Sequence, residues 1–175
     1  MRVDVAAPAS REAPPAPDRG GVIVFHPRAE AFLRRHGVDT AAAALALPGE
    51  IVCGHPDRHV ARVLIGGRAA YLKREHVVGV RTRLRNRLAG FGPVSRCERE
   101  ATTLRGLERA GQPAPAWLAH GTAADGRAFL LVAAVEASAS LPATLTDSPL
   151  SPADRRALAE RAGRTLADLH DAGFG

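Results

Sequence analysis

A Gly-Gly pair at positions 66 and 67 restricts the local fold of this chain more sharply than any other pattern in it. It separates "HVARVLI" from "RAAYLKRE", two apolar and partly alternating runs. A tight two-residue turn needs positive φ, which glycine adopts without a Cβ clash. The pattern predicts an antiparallel hairpin with strands over 59–65 and 68–74, preceded by a strand at "EIVCG" (50–53) and a turn at "HPDR". The second run ends on Lys73. A lysine in that position ordinarily lays its stem on apolar surface and its ammonium in water at a sheet edge. The alternative is a lysine held to grip an anion such as a nucleotide phosphate.

The remaining elements follow from caps and periodicity. Residues 1–21 are rich in Pro, Ala and charge and read as a disordered tail. Residues 22–49 read as an N-terminal helical extension: a short extended piece, a helix over 29–35, and a second helix beginning near Asp39 or Thr40 and stopping before Pro48. After the three strands comes a basic stretch, "VRTRLRNRLAGFGPVSRC", and then a helix with Ser95 as N-cap and Glu98 three residues on. Gly111 ends that helix. "APAWLAHG" and "RAFLLVAAV" are two further strands, and residues 137–150 read as a linker loop. A last helix is expected over 151–172, opened by "SPAD" and carrying Leu158, Leu166 and Leu169 on an apolar stripe.

Composition narrows function only loosely. A formal charge of +6 permits phosphate, nucleic-acid or anionic-membrane partners without choosing among them. The arginines at 81, 83, 85, 87, 96 and 99 lack interleaved aromatics, so single-stranded nucleic acid is not an expected partner. Cys53 and Cys97 stand far apart and imply no disulfide framework, and no run reaches membrane-spanning length. Cys53, His55 and His59 lack the paired spacing of a zinc site, so no metal ligands are expected.

Three strands, a helix, two strands, a linker and a long helix is the order of a protein-kinase-like N-terminal lobe followed by the first helix of a C-terminal lobe. In such a lobe the third strand carries the lysine that holds the α- and β-phosphates of ATP, and the next helix carries a carboxylate to fix it. Glu98 and Glu100 are the candidates for that carboxylate. "YLKRE", "EREATTLRGLERAGQPAPAWLAHG", "AFLLV" and "LADLHDAGFG" together resemble the lipopolysaccharide kinases of the Kdo/WaaP type, bacterial relatives of protein kinases, over roughly residues 50–175.

That resemblance implies an α+β fold: a five-stranded antiparallel sheet with one packed helix over 50–136, then the first helix of an incomplete helical lobe over 151–175. It implies ATP and magnesium as cofactors, with γ-phosphoryl transfer to a lipopolysaccharide core sugar or another small acceptor. It gives the ion-pair role to Glu100, four residues before Leu104, and leaves Glu98 as cap and fallback. The adenine edge is expected at the Ala133 carbonyl and the Val135 N–H. The loop "GHPDRH" departs from the kinase pattern of repeated glycines, since it has Gly54 alone, and His55, Arg58 or His59 are expected to supply charge there. The catalytic aspartate and the magnesium-holding residues of a kinase follow the long helix, and Asp171 in "LHD" lies too early for that role. No catalytic residue or metal ligand is therefore expected in this chain, and a partner chain supplying the missing lobe is one expectation. The expected location is cytoplasmic, peripheral to the inner membrane with its anionic surface. The rival reading is a non-enzymatic basic binding or regulatory module.

Overall fold

The computed structural model describes residues 21–135, 141–147 and 150–174. The expected disordered tail and much of the expected linker lie outside the described residues. Among the described residues six strands form one antiparallel sheet in the order β1-β5-β6-β4-β3-β2. They are β1 (Val22–Phe25), β2 (Gly49–His55), β3 (Arg58–Ile65), β4 (Arg68–Glu75), β5 (Trp117–Thr122) and β6 (Ala128–Ala133). The sixth strand is the extended piece at the start, which pairs with β5 from Val22↔Thr122 to Phe25↔Ala119.

The Gly66-Gly67 turn forms as expected, with φ of 53° and 78°. It sets the β3–β4 ladder from Ile65↔Arg68 through Val60↔Lys73 to Arg58↔Glu75. Because side chains alternate along a strand, this register decides which face each residue serves. Ala61, Val63 and Ile65 of β3 join Ala70 and Leu72 of β4 in one buried cluster. Lys73 and Glu75 face the other way. β6 is buried along nearly its whole length, which accounts for the unbroken apolar run "AFLLV": both faces of this central strand are covered.

Helices lie on both faces, where one packed helix was expected. α1 (Glu30–Arg35) and α2 (Ala41–Ala46) bring Leu33, Ala41, Ala44 and Leu45 into the cluster on the Leu72 face. The Thr40 hydroxyl caps α2 by accepting the Ala43 N–H at 3.1 Å. The basic stretch is itself a helix, α3 (Val80–Leu88), and α4 (Arg96–Arg109) follows it. α4 lays Cys97, Ala101 and Leu104 against Trp117, Leu130 and Val132 on the second face. Residues at i, i+4 and i+7 form one stripe of a helix, which is why these three turn inward together. A further helix, α5 (Leu141–Asp147), stands where a loop was expected.

α6 (Pro152–Asp171) opens with the full capping box: Ser151 accepts the Asp154 N–H, and the Asp154 carboxylate accepts from the Ser151 N–H. None of its residues is fully buried. Just beyond it, Phe174 seats its ring on α4 at Gly106, where an added Cβ would lie 3.1 Å from the ring.

Candidate nucleotide-binding cleft

Lys73 and Glu100 meet across the β4–α4 interface as an ion pair. Two local rules bring them together. Lys73 is two residues from Tyr71 on the α4 face of the sheet, and Glu100 lies beside the buried Cys97–Ala101–Leu104 stripe of α4. Glu98 is about 200° around the helix from Glu100. Its backbone N–H donates to the Ser95 hydroxyl at 3.0 Å, so its part is in the cap. The side chains of Lys73 and Glu100 remain 34% and 41% exposed, which leaves the ammonium open to a ligand from the cleft side.

The pair borders a cleft of about 370 Å³ whose lining includes Gly54, His55, Arg58, Val60, Arg96 and Cys97. Arg58 and Val60 share the Lys73 face by register. His55, opposite Arg58, holds the Asp57 carboxylate at 2.5 Å. That hydrogen bond, with the nearby charges of His55 and Arg96, keeps Asp57 below the usual carboxylate range against a smaller opposing effect of burial. Asp57 in turn accepts from the Arg96 guanidinium at 3.2 Å. A Cβ built at Gly54 would meet only Ile51, at 3.9 Å, so crowding does not demand glycine there.

Sequence reasoning missed Glu75. It is 2% exposed, and its Oε2 accepts the backbone N–H of Arg96, the first residue of α4, at 2.9 Å. A carboxylate at that point satisfies one of the helix's unpaired donors and complements its dipole. Its signal was period-two spacing from Lys73. Beside it, burial pushes the Cys97 thiol up to about 12, with Glu75 and Glu100 adding to the effect, so this cysteine is not a nucleophile.

Several expected contacts fall elsewhere. His59 is opposite Arg74, so its side chain belongs to the other face of the sheet although its residue borders the cleft. There the Arg74 guanidinium donates to His59 Nε2 at 3.0 Å, and His59 Nδ1 bonds His76 Nε2 at 2.8 Å. Since Arg74 only donates, His59 must carry its proton on Nδ1. Arg74 also donates to the Leu45 and Leu47 carbonyls at the end of α2. Ala133 lies three residues along β6 from Leu130, the partner of Lys73, which is about 10 Å away at strand spacing. Its N–H donates to the Ala116 carbonyl at 2.8 Å, and it borders a second cavity, of about 430 Å³, with Trp117 and Phe32. Val135 is exposed and does not line the Lys73 cleft.

Among the described residues no group of three or more His, Cys, Asp or Glu converges to hold a metal. The acidic side chains nearest the cleft, Glu75 and Glu100, are engaged by α4 and by Lys73.

A strand-borne lysine paired with a helix carboxylate, on an antiparallel sheet followed in the chain by the long helix α6, is the arrangement of a kinase-like N-terminal lobe. Residues 58–174 match the model of the phosphotransferase enzyme family (APH), and the chain belongs to that family. Its structure is similar to that of WaaP in complex with acyl carrier protein, with a TM-score of 0.60 and 23% identity. The match covers 85% of this chain and 56% of that one, and at this identity the likeness is one of fold. The chain thus spans little more than half the length of that relative. The lipopolysaccharide-kinase resemblance read from the sequence therefore holds at the level of the kinase-like fold. No curated protein matches the chain.

Proposed function

We propose that this chain supplies the ATP-binding half of a phosphotransferase that moves a γ-phosphoryl group to a sugar hydroxyl, in the manner of the lipopolysaccharide kinases. The ion pair of Lys73 with Glu100 carries the reading. A free lysine on a strand samples many rotamers and loses them on gripping a phosphate, whereas one held by a packed helix has lost them beforehand. Lys73 then meets the α- and β-phosphates, Arg58 adds positive charge from the β2–β3 hairpin, and His55 lies beside it. These cations around an open cleft fit a polyphosphate. The base is directed along β6 toward the strand end at Ala133, a span of about 10 Å from the register partner of Lys73 that suits the reach of an extended nucleotide from base to second phosphate. When bound, magnesium neutralises phosphate charge during transfer. A core-sugar acceptor would put the enzyme at the cytoplasmic face of a membrane, and no helix among the described residues is long and apolar enough to cross one.

Titration with a fluorescent ATP analogue tests the reading. Because Lys73 grips phosphates, ATP and ADP should displace the analogue, while AMP and adenosine should do so at least tenfold less well. Equal displacement by adenosine, or no saturable binding, would refute it.

A further inference from the structure

α3 is built inside out. Residues four apart on a helix lie on one side, and Val80, Leu84 and Leu88 form a stripe spanning about 80°. That stripe faces water: the three are 82%, 56% and 81% exposed, and Val77 just before them is also exposed. The opposite side of the helix, with Thr82 and Asn86, faces the protein, and Asn86 is fully buried. The Asn86 amide donates to the Val94 carbonyl at 2.9 Å, and its oxygen accepts from Arg99 at 3.4 Å. The polar face of α3 is therefore its anchor, and the apolar face is left outward.

The charges are arranged about that stripe. Arg81 and Arg87 lie about 60° to either side of its centre, and Arg83 and Arg85 about 100°. All four are exposed, and the helix contains no acidic residue. An apolar line with cations on both flanks complements a surface whose negative charge lies in a plane above an apolar interior. Arginine stems can lie along the apolar boundary while the guanidinium reaches the phosphates. A second copy of the chain would set the four arginines against four more. Nucleic acid would leave the apolar line without a role, and the helix carries no aromatic for stacking.

We propose that α3 docks the protein on an anionic phospholipid bilayer, with Val80, Leu84 and Leu88 at the acyl boundary and the flanking arginines on headgroup phosphates. This surface is separate from the Lys73 cleft and does not depend on nucleotide binding.

Flotation of the full chain with vesicles tests the proposal. The protein should float with phosphatidylcholine vesicles containing phosphatidylglycerol, remain behind with phosphatidylcholine alone, and be released by high salt. Each arginine contributes about fivefold to partitioning, so Arg81→Gln, Arg83→Gln, Arg85→Gln and Arg87→Gln together should weaken it by several hundredfold. Leu84→Ser with Leu88→Ser should abolish flotation while the charge is unchanged. These side chains face solvent, so unchanged thermal melts should accompany both variants. The lipid and salt dependence of the unmodified protein serves as a readout that needs no variant. Failure to float with anionic vesicles, equal flotation with neutral ones, or flotation of either variant as strong as that of the parent would overturn the proposal. So would binding to an acidic protein without flotation, which would assign the face to a protein partner.

Discussion

Replacing Glu75 should loosen α4 from the sheet and so disturb the cleft from behind. The carboxylate is 2% exposed and accepts the Arg96 N–H at 2.9 Å. A hydrogen bond to a charged group contributes about 1.5–3 kcal/mol and a neutral one about 0.5–1.5, so Glu75→Gln forfeits roughly 1–1.5 kcal/mol. Loss of the favourable charge at the helix N-terminus adds about 0.5–1 kcal/mol. Burying a carboxylate works in the opposite direction, but Arg58 is its register partner and Arg96 begins the helix it caps, so part of that cost is offset. The net expectation is about 2 kcal/mol for Gln. Glu75→Ala leaves a buried N–H unpaired as well as a void, and should cost about 3–4 kcal/mol. For a chain of this size each kcal/mol lowers Tm by about 2–4 °C. Urea unfolding at constant m-value measures both variants. Glu100 is one turn beyond Arg96, so nucleotide affinity should fall with stability in Glu75→Gln and stay unchanged in Glu98→Gln. A Glu75→Gln protein within about 0.5 kcal/mol of the parent would show that this carboxylate does not hold the helix.

The pH profile should bend on the acid side of neutrality. His120 is 6% exposed, its Nε2 has no partner among the described residues, and burial followed by the Arg105 charge lowers its pKa from 6.5. Burial and then Arg74 do the same to His59. A depressed histidine stays neutral when folded but takes a proton when unfolded. Stability is therefore full above pH 6.5 and declines as pH falls below it, by at most about 1.4 kcal/mol per unit for each group. His120→Leu should flatten that slope in melts between pH 7 and 5, and an unaltered slope would assign it elsewhere. Asp57, Glu108 and Asp125, all held low, act only further down, below their ordinary values of 3.8–4.5. Gly121→Ala should detach the edge strand, because its Cβ would lie 2.1 Å from the Val22 carbonyl oxygen. Overpacking of this kind costs about 3 kcal/mol, and hydrogen exchange should rise across β1. Unchanged protection of the β1 amides would contradict that account.

What could be read from the sequence was mostly local. The Gly66-Gly67 turn and the caps at Thr40, Ser95 and Ser151 are decided by residues within one turn of each other, and each is visible in the chain. The meeting of Lys73 with Glu100 was legible because a strand period and a helix period each fix one face. The face that the His59 side chain takes was also countable from the turn. A two-residue turn after Ile65 sets Val60, not His59, opposite Lys73, and the same count puts Glu75 on the cleft side. The sixth strand and the second helical layer were not legible as such. β1 pairs with β5 nearly a hundred residues away, and α2 is tied to β4 through Arg74 and the Leu45 carbonyl, so neither partner leaves a mark nearby. α3 showed in the sequence only as a basic stretch because its buried face is polar, the reverse of the usual pattern.

A double-mutant cycle on ATP affinity, with Lys73→Met, Glu100→Gln and the two combined, tests most directly whether this ion pair is a phosphate grip. Lys73→Met should weaken binding by tenfold or more, and Glu100→Gln by less. If Glu100 acts only by positioning Lys73, the combined variant should bind no worse than Lys73→Met, a coupling of about 1 kcal/mol. Strictly additive losses, or a Lys73→Met protein that binds ATP as tightly as the parent, would contradict the account.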